Sequence, residues 1–250
     1  MQDVERIVDS LLKEVLTLPE KKMQIDRIKR RLSLKSPEEV ARILERLYGM
    51  DSSIEGVRRL KSIFVDPDSL MEVLGEVKYR LTYLSAVELG IKRIAHLFTN
   101  LPPHKKGIRG YSTEEEAKME LITLGERRAL AKRNDKDTID RLLSDPDPMV
   151  IRNLLSNPRV TEAEVVKIAS KRPNSAEILK LVATHQKWSR RYPVIKAIVL
   201  NPYPPPRIAT GLLEFLLAQD LKAVSEDRTL HPQVKMCASQ LLKEKEGGRL

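Results

Sequence analysis

The chain has 250 residues, of which 32% are charged and only 4% aromatic, and its formal net charge at pH 7 is +10. This composition favours helices over sheets. The single cysteine, Cys237, excludes a disulfide within the chain and any metal centre built from several cysteines. No apolar run approaches the roughly 18 to 20 residues of a membrane span, and Met1 leads into an acidic amphipathic segment rather than a signal peptide. We therefore expect an all-α, cytoplasmic protein that makes no membrane contact.

Residues 1–100 have the pattern of an N-terminal helical region. Apolar residues recur there at intervals of three and four, which is the spacing of one helix face. Ser36 followed by Pro37 and by Glu39 predicts a capping box with proline at the first helical position. Gly90 is a candidate break in the last long apolar stretch. The predicted helices span 2–18, 37–48 and 69–98, with a further helix around 54–64.

Residues 101–111, LPPHKKGIRGY, predict a basic loop or linker, because prolines and glycines punctuate local structure. Ser112 is a candidate cap for the next helix, with Glu115 three residues later. We place a domain boundary at this loop and predict an α-helical repeat domain over 112–245. Its predicted helices span 112–132, 138–144, 149–156, 161–171 and 207–218.

The repeat domain rests on two matching stretches, VIRNLLSNP (150–158) and VIKAIVLNP (194–202), which lie 44 residues apart. An earlier pair, 130–145 and 169–184, aligns at an offset of 39 residues, and a degraded third copy covers 220–242. Short helices of this kind cannot bury their own apolar faces, whereas stacked units bury a continuous core. The recurrence therefore predicts stacking rather than chemistry.

The pattern Asp145-Pro146-Asp147-Pro148 followed by Asn157-Pro158, with Asn201-Pro202 and its trailing prolines, resembles the bacterial leucine-rich repeat variant. More loosely, it resembles the HEAT and armadillo α-solenoids. The resemblance covers about 121–242 and implies an α-solenoid with an extended concave surface. Some leucine-rich repeat variant proteins carry a cysteine-ligated iron–sulfur cluster, and the lone cysteine leaves no such cluster here.

Most motifs have a structural interpretation that we prefer to a catalytic one. The two Asn-Pro pairs predict helix ends, because proline cannot continue a helix and asparagine bonds nearby backbone. The acid pairs Asp145/Asp147 and Asp66/Asp68 flank prolines at helix entries and predict caps. The four histidines lack metal-ligand spacing, and there is no glycine-rich phosphate loop. We expect no catalytic residue, metal or cofactor, and we keep the proline run 204–206 as an alternative peptide ligand.

One stretch stands out for its charge. Residues 178–213 contain six basic residues and no acidic one, together with three aromatic residues. Such residues suit phosphate neutralisation and base stacking. Alternatively, the aromatic rings pack between helices and the cations form a solvated ridge. The candidate macromolecule-binding residues are Lys180, Lys187, Trp188, Arg190, Arg191, Tyr192, Lys196 and Arg207.

These observations predict a non-enzymatic helical-repeat scaffold that binds another macromolecule, with a protein as the first expectation. The alternative is a nucleic-acid-binding HEAT-like protein that uses 178–213, for which the HEAT-like alkylpurine DNA glycosylases are an architectural precedent. An enzyme of that kind needs an acid beside the basic cleft. The stretch has none of its own, so Asp145, Asp147 or Glu214 would have to be brought close by the fold.

Overall fold

The fold is entirely helical in the part of the chain that the structure describes. The computed structural model describes residues 2–107, 110–111, 113, 116 and 118–247. These residues form sixteen α-helices and three short 3₁₀ helices, and they contain no β-strand. The prediction of an all-α fold is therefore confirmed.

Seven α-helices form the first half and share one core, which runs from Val8 to Phe98. They are α1 (Gln2–Thr17), α2 (Lys21–Ser33), α3 (Pro37–Tyr48), α4 (Glu55–Val65), α5 (Pro67–Leu74), α6 (Glu76–Glu88) and α7 (Lys92–Ala95), and a 3₁₀ turn (His96–Phe98) follows. The predicted capping box of α3 is confirmed, because the Glu39 amide donates to Ser36 Oγ at 3.1 Å and the Ser36 amide donates to Glu39 Oε2 at 2.8 Å.

The prediction of one helix over 69–98 is wrong. The stretch divides into α5, α6 and α7, and the two breaks fall at Gly75 and Gly90. Both glycines adopt positive φ angles, 72° and 71°, which end a right-handed helix and which side-chain-bearing residues rarely adopt. The predicted set also omits α2, in which seven of thirteen residues are charged and four are apolar.

The second half continues as a series of shorter helices. They are α8 (Leu124–Leu130), α9 (Lys136–Leu142), α10 (Pro148–Ser156), α11 (Glu162–Ser170), α12 (Ala176–Thr184), α13 (Tyr192–Val199), α14 (Pro206–Leu212), α15 (Ala218–Glu226) and α16 (Pro232–Gly247). Two 3₁₀ turns, Lys118–Leu121 and Leu213–Phe215, precede α8 and follow α14. Ser112 and Glu115, the predicted cap of the helix 112–132, lie outside the described residues. The predicted helix 207–218 ends at Leu212.

The two matching stretches occupy equivalent places. VIRNLLSNP forms most of α10 and VIKAIVLNP most of α13, and Leu154 and Ile198 are fully buried at the same position of the two helices. Alternate helices touch: α10 contacts α8 and α12, α11 contacts α13, and α14 contacts α16. Together the helices of this half enclose a second core. The solenoid arrangement stays a prediction.

The two Asn-Pro asparagines make the same set of hydrogen bonds. Asn157 Nδ2 donates to the carbonyls of Ala131 and Arg133 at 2.9 and 2.8 Å. Asn201 Nδ2 donates to the carbonyls of Ala169 and Lys171 at 2.8 and 3.0 Å. In each case Oδ1 accepts the backbone N–H two residues later, at 3.0 Å. Each buried amide therefore holds the end of an earlier helix, and Ala131 pairs with Ala169, one residue off the predicted offset of 39.

The predicted loop 101–111 lies against the second half where the structure describes it. The Lys105 amide donates to the Pro202 carbonyl at 3.2 Å. A Cβ added to Gly107 would stand 2.2 Å from the Asn174 carbonyl oxygen, so no other residue fits there without a shift of backbone. The domain boundary at this loop stays a prediction.

Asn157→Ala and Asn201→Ala should each lower the free energy of unfolding by about 1 to 3 kcal/mol, because each removes one buried and one part-buried hydrogen bond to a backbone carbonyl. Urea unfolding followed by circular dichroism measures the loss. The exposed Asn100→Ala should change stability by less than about 0.5 kcal/mol and serves as the control. Losses no larger than that of the control would contradict the proposed role of the amides.

Candidate functional site

The fold places Trp188 in the second core rather than at the surface. Its side chain is 2% exposed, and the indole N–H donates to the Leu155 carbonyl at 2.8 Å. Tyr192 is half-buried, and its hydroxyl donates to Asp220. Neither ring is free to stack on a base, so the observed placement agrees with aromatic packing between helices.

The cations of 178–213 meet acids from other helices. Lys180 contacts Asp68 at 2.7 Å and Lys196 contacts Asp220 at 3.0 Å. The longer ion pairs are Arg190 with Glu55 at 3.9 Å and Arg191 with Glu162 at 3.6 Å. Lys187 is exposed and lies over the Trp188 ring at 4.0 Å. The stretch has no acid in sequence, yet the fold neutralises most of its positive charge.

The Arg207 side chain is buried rather than exposed at the surface. It is 8% exposed, and its Nη1 donates to the Tyr79 hydroxyl of α6 at 2.8 Å. Burial lowers the pKa of this guanidinium. Its position on α14, which packs against α4, makes Arg207 part of the contact between the two halves.

The acids considered for the enzymatic alternative have other partners. Asp145 is buried and accepts from Arg127 Nε at 2.8 Å and from the Tyr111 hydroxyl at 2.9 Å. Asp147 caps α10 by accepting the amides of Met149 and Val150. The prediction that these acids cap helix entries is confirmed for Asp147.

Glu214 sits in a buried ionic cluster between the halves. Its carboxylate lies 3.1 Å from Lys61 Nζ of α4 and accepts two hydrogen bonds from Arg93, from Nε at 2.8 Å and from Nη2 at 2.6 Å. The Tyr48 and Met50 carbonyls and the Ser52 hydroxyl also lie within hydrogen-bond distance of Lys61 Nζ, so four acceptors surround the three N–H groups of its ammonium. Burial lowers the pKa of Lys61, and the Glu214 charge opposes that shift. The cluster fixes the halves together beneath a cleft of about 660 Å³.

A second link between the halves pairs His96 with Cys237. The distance from His96 Nδ1 to Cys237 Sγ is 2.9 Å. Burial raises the pKa of the thiol to about 11 and lowers the pKa of the imidazole. Both groups are therefore neutral at pH 7, and the thiol is not poised as a nucleophile. No sequence motif brings these two residues together.

Helix α6 exposes an apolar face. Val77, Leu81 and Leu84 recur at helical spacing along its outer side and are 73%, 45% and 52% exposed. Val87 and Tyr83 extend the face along one flank. Five of the sixteen large exposed apolar side chains among the described residues thus lie on this one helix of thirteen residues. The charged residues Glu76, Arg80 and Glu88 of α6 are also exposed and interrupt this face. Single exposed apolar residues are ordinary, whereas a cluster of five on one helix marks a candidate interaction surface.

The inner side of α6 is also apolar and meets α3, α5 and α7. Tyr79 and Ala86 are buried there. Apolar residues therefore lie on both the inner and the outer side of α6, whereas a surface helix normally confines them to its inner side. Sequence reasoning missed this surface because it predicted one long apolar helix over 69–98 and did not ask which side of it is covered. The lack of helical periodicity in 76–88 was the available signal.

A groove continues the α6 face toward α16. Its volume is about 520 Å³, and its walls include Tyr83, Val87, Leu101 and Met236. Leu101 and Met236 are themselves exposed, at 43% and 54%. Lys92 is the only lining residue with a charged side chain at neutral pH, given the lowered pKa of His96. We call α6's exposed residues and this groove together the α6 surface.

No known protein family, curated protein sequence or solved structure matches this chain. The described residues contain no group of three or more histidine, cysteine or acidic side chains that could hold a metal ion. None of the helices in the described ranges has both the length and the apolarity needed to cross a bilayer.

Glu214→Gln should lower the free energy of unfolding by about 3 to 5 kcal/mol, because it leaves the buried Lys61 without its counter-charge. Glu244→Gln is the matched control, because Glu244 also pairs with Arg93 but is 44% exposed. This variant should lower the free energy of unfolding by less than about 1 kcal/mol. Chemical unfolding of both variants measures the difference. Equal small losses would show that the buried cluster does not join the halves.

Proposed function

We propose that this chain is a non-enzymatic helical-repeat scaffold, of the kind that leucine-rich repeat variant and HEAT-like proteins represent, and that it binds another protein through the α6 surface. The observation that carries the proposal is the exposed face of α6, where Val77, Leu81 and Leu84 lie in a row with no partner in the described chain. Association with a protein removes such surface from water, at roughly 25 cal/mol per Å².

The arrangement of the two halves supports this assignment. Stacked helices in the second half supply a rigid frame, to which Arg207 and Glu214 attach the first half. A binding surface on a rigid element loses little conformational freedom when its partner arrives. We place this scaffold in the cytoplasm.

Nucleic-acid binding through 178–213 is the competing function. Four of its six cations are paired with acids and Arg207 is buried, which leaves Lys187 as the exposed cation without an ion pair among the described residues. Phosphate contacts depend on free cations. The pairing therefore favours the protein partner.

Photo-crosslinking in native cells tests the proposal. With p-benzoylphenylalanine at Leu84, we expect a protein adduct that survives nuclease treatment and disappears when Leu81→Glu is added. Leu81→Glu places a charge in the interface but should change stability by less than about 1 kcal/mol, because the side chain is 45% exposed. The probe at Leu34, a lone leucine that is 86% exposed, is the control position.

Two results would contradict the proposal. Adducts of equal yield at Leu84 and Leu34 would mean that the α6 surface does not bind a partner preferentially. Adducts that vanish with nuclease, and also with a Lys187, Arg190 and Arg191 to Glu triple variant, would establish the nucleic-acid alternative.

A further inference from the structure

The α6 surface has a shape that restricts the backbone of its occupant. The described residues offer no β-strand edge, so an extended peptide would find no ladder to join. A polyproline segment docks between several aromatic rings, and Tyr83 is the only aromatic residue besides His96 in the groove. Of the three recognition modes in which the peptide backbone takes a regular conformation, an amphipathic helix laid along a groove remains.

The dimensions agree with that mode. Thirteen residues of α6 extend for about 20 Å, which is the length of a partner helix of three to four turns. Val77, Leu81 and Leu84 form a ridge at intervals of four and three residues, and a second helix packs beside such a ridge at an axial distance of about 8 to 10 Å. The groove beside Val87 then receives the side chains of its last turn.

On the outer side of α6, Glu76 and Arg80 pair with each other and Glu88 ends the helix. Within the groove the charged residue is Lys92, and it indicates the sign of the group that a partner places there. Lys92 is exposed at the groove, forms no ion pair with any described residue, and no carboxylate lines the groove with it. Its neighbour Arg93 instead forms ion pairs with Glu214 and Glu244. A carboxylate on the occupant would complement Lys92, whereas a cation there would be repelled, as it would be by the net charge of +10.

We infer that the α6 surface binds an acidic amphipathic helix of the partner, with apolar residues at i, i+3 or i+4 and i+7 against α6 and a carboxylate against Lys92. The inference rests on the proposed function and names the partner's recognition element. A second copy of this chain is the competing occupant, and the experiment includes it.

The test selects binders of the full chain from a phage-displayed library of random 16-residue peptides. We expect the enriched peptides to carry apolar residues at helical spacing together with Asp or Glu. A synthetic enriched peptide should become helical on binding, as circular dichroism measures. Val87→Glu should weaken its binding roughly tenfold or more, and Leu34→Glu should leave it unchanged.

A charge swap makes the test specific. Lys92→Glu should weaken the binding of the acidic peptide roughly tenfold. A peptide with Lys in place of the critical carboxylate should bind that variant but not the parent chain. Thermal unfolding confirms that both variants fold, which is expected because Val87 and Lys92 are exposed.

Three outcomes would overturn the inference. Enriched peptides with alternating or proline-rich patterns would mean a different recognition mode. Binding that ignores both Val87→Glu and Lys92→Glu would place the site elsewhere. A parent chain that sediments as a dimer and becomes a monomer with Leu84→Glu would identify a second copy as the occupant. If the Leu84 crosslink to a protein persists in the first case, the proposed function stands and only the helical partner fails.

Discussion

Helix length is the constraint on which the second half of this protein depends. From α8 to α15 the helices have only seven to nine residues, whereas isolated helices shorter than about 12 to 15 residues are marginal in water. None of them can be stable without its neighbours, so stability must come from contact between successive units. Fully buried residues such as Leu154 and Ile198 show where the contact is made. Asn157 and Asn201 complete it, since each bonds carbonyls that an earlier helix leaves open.

The two halves meet through buried charges whose counter-charges lie in the opposite half. Glu214 comes from the second half, while its partners Lys61 and Arg93 come from the first. Buried charges of this kind contribute modest net stability but strongly disfavour any arrangement that separates them. Close packing reinforces the join, since a Cβ on Gly211 of α14 would lie 3.2 Å from Val65 of α4. The α6 surface is consequently held in a fixed position relative to the stacked helices.

The sequence was sufficient for what is local or periodic. Capping at Ser36, the helix ends at Asn157 and Asn201, and the core positions of α10 and α13 all follow from residue type and spacing. It was insufficient where distant segments decide the outcome. The charge of 178–213 looked uncompensated because all of its acidic partners lie outside the stretch. Asp68 and Glu55 are more than a hundred residues from their cations, and Glu162 and Asp220 flank the stretch.

The candidate site also depends on contacts between distant segments, which the sequence does not reveal. Hydropathy marks 76–88 as apolar, but only the packing of α3, α5 and α7 reveals which part of α6 is left uncovered. The groove requires Leu101 and Met236, which come from a loop and from the last helix. The sequence alone does not indicate that Leu101 and Met236 lie close together, because neither residue belongs to a recurring motif.

The separation of bonded residues along the chain implies an order of assembly. Asn157 and Asn201 bond residues at most 32 positions away, whereas Lys61 and Glu214 are 153 positions apart. Closing the longer loop costs roughly 1.4 kcal/mol more in chain entropy than closing one of about thirty residues. Local contacts also form faster than distant ones. Each half is therefore expected to fold first and to dock afterwards, so the ionic join is the last part of the molecule to form during synthesis and the first to open when it unfolds.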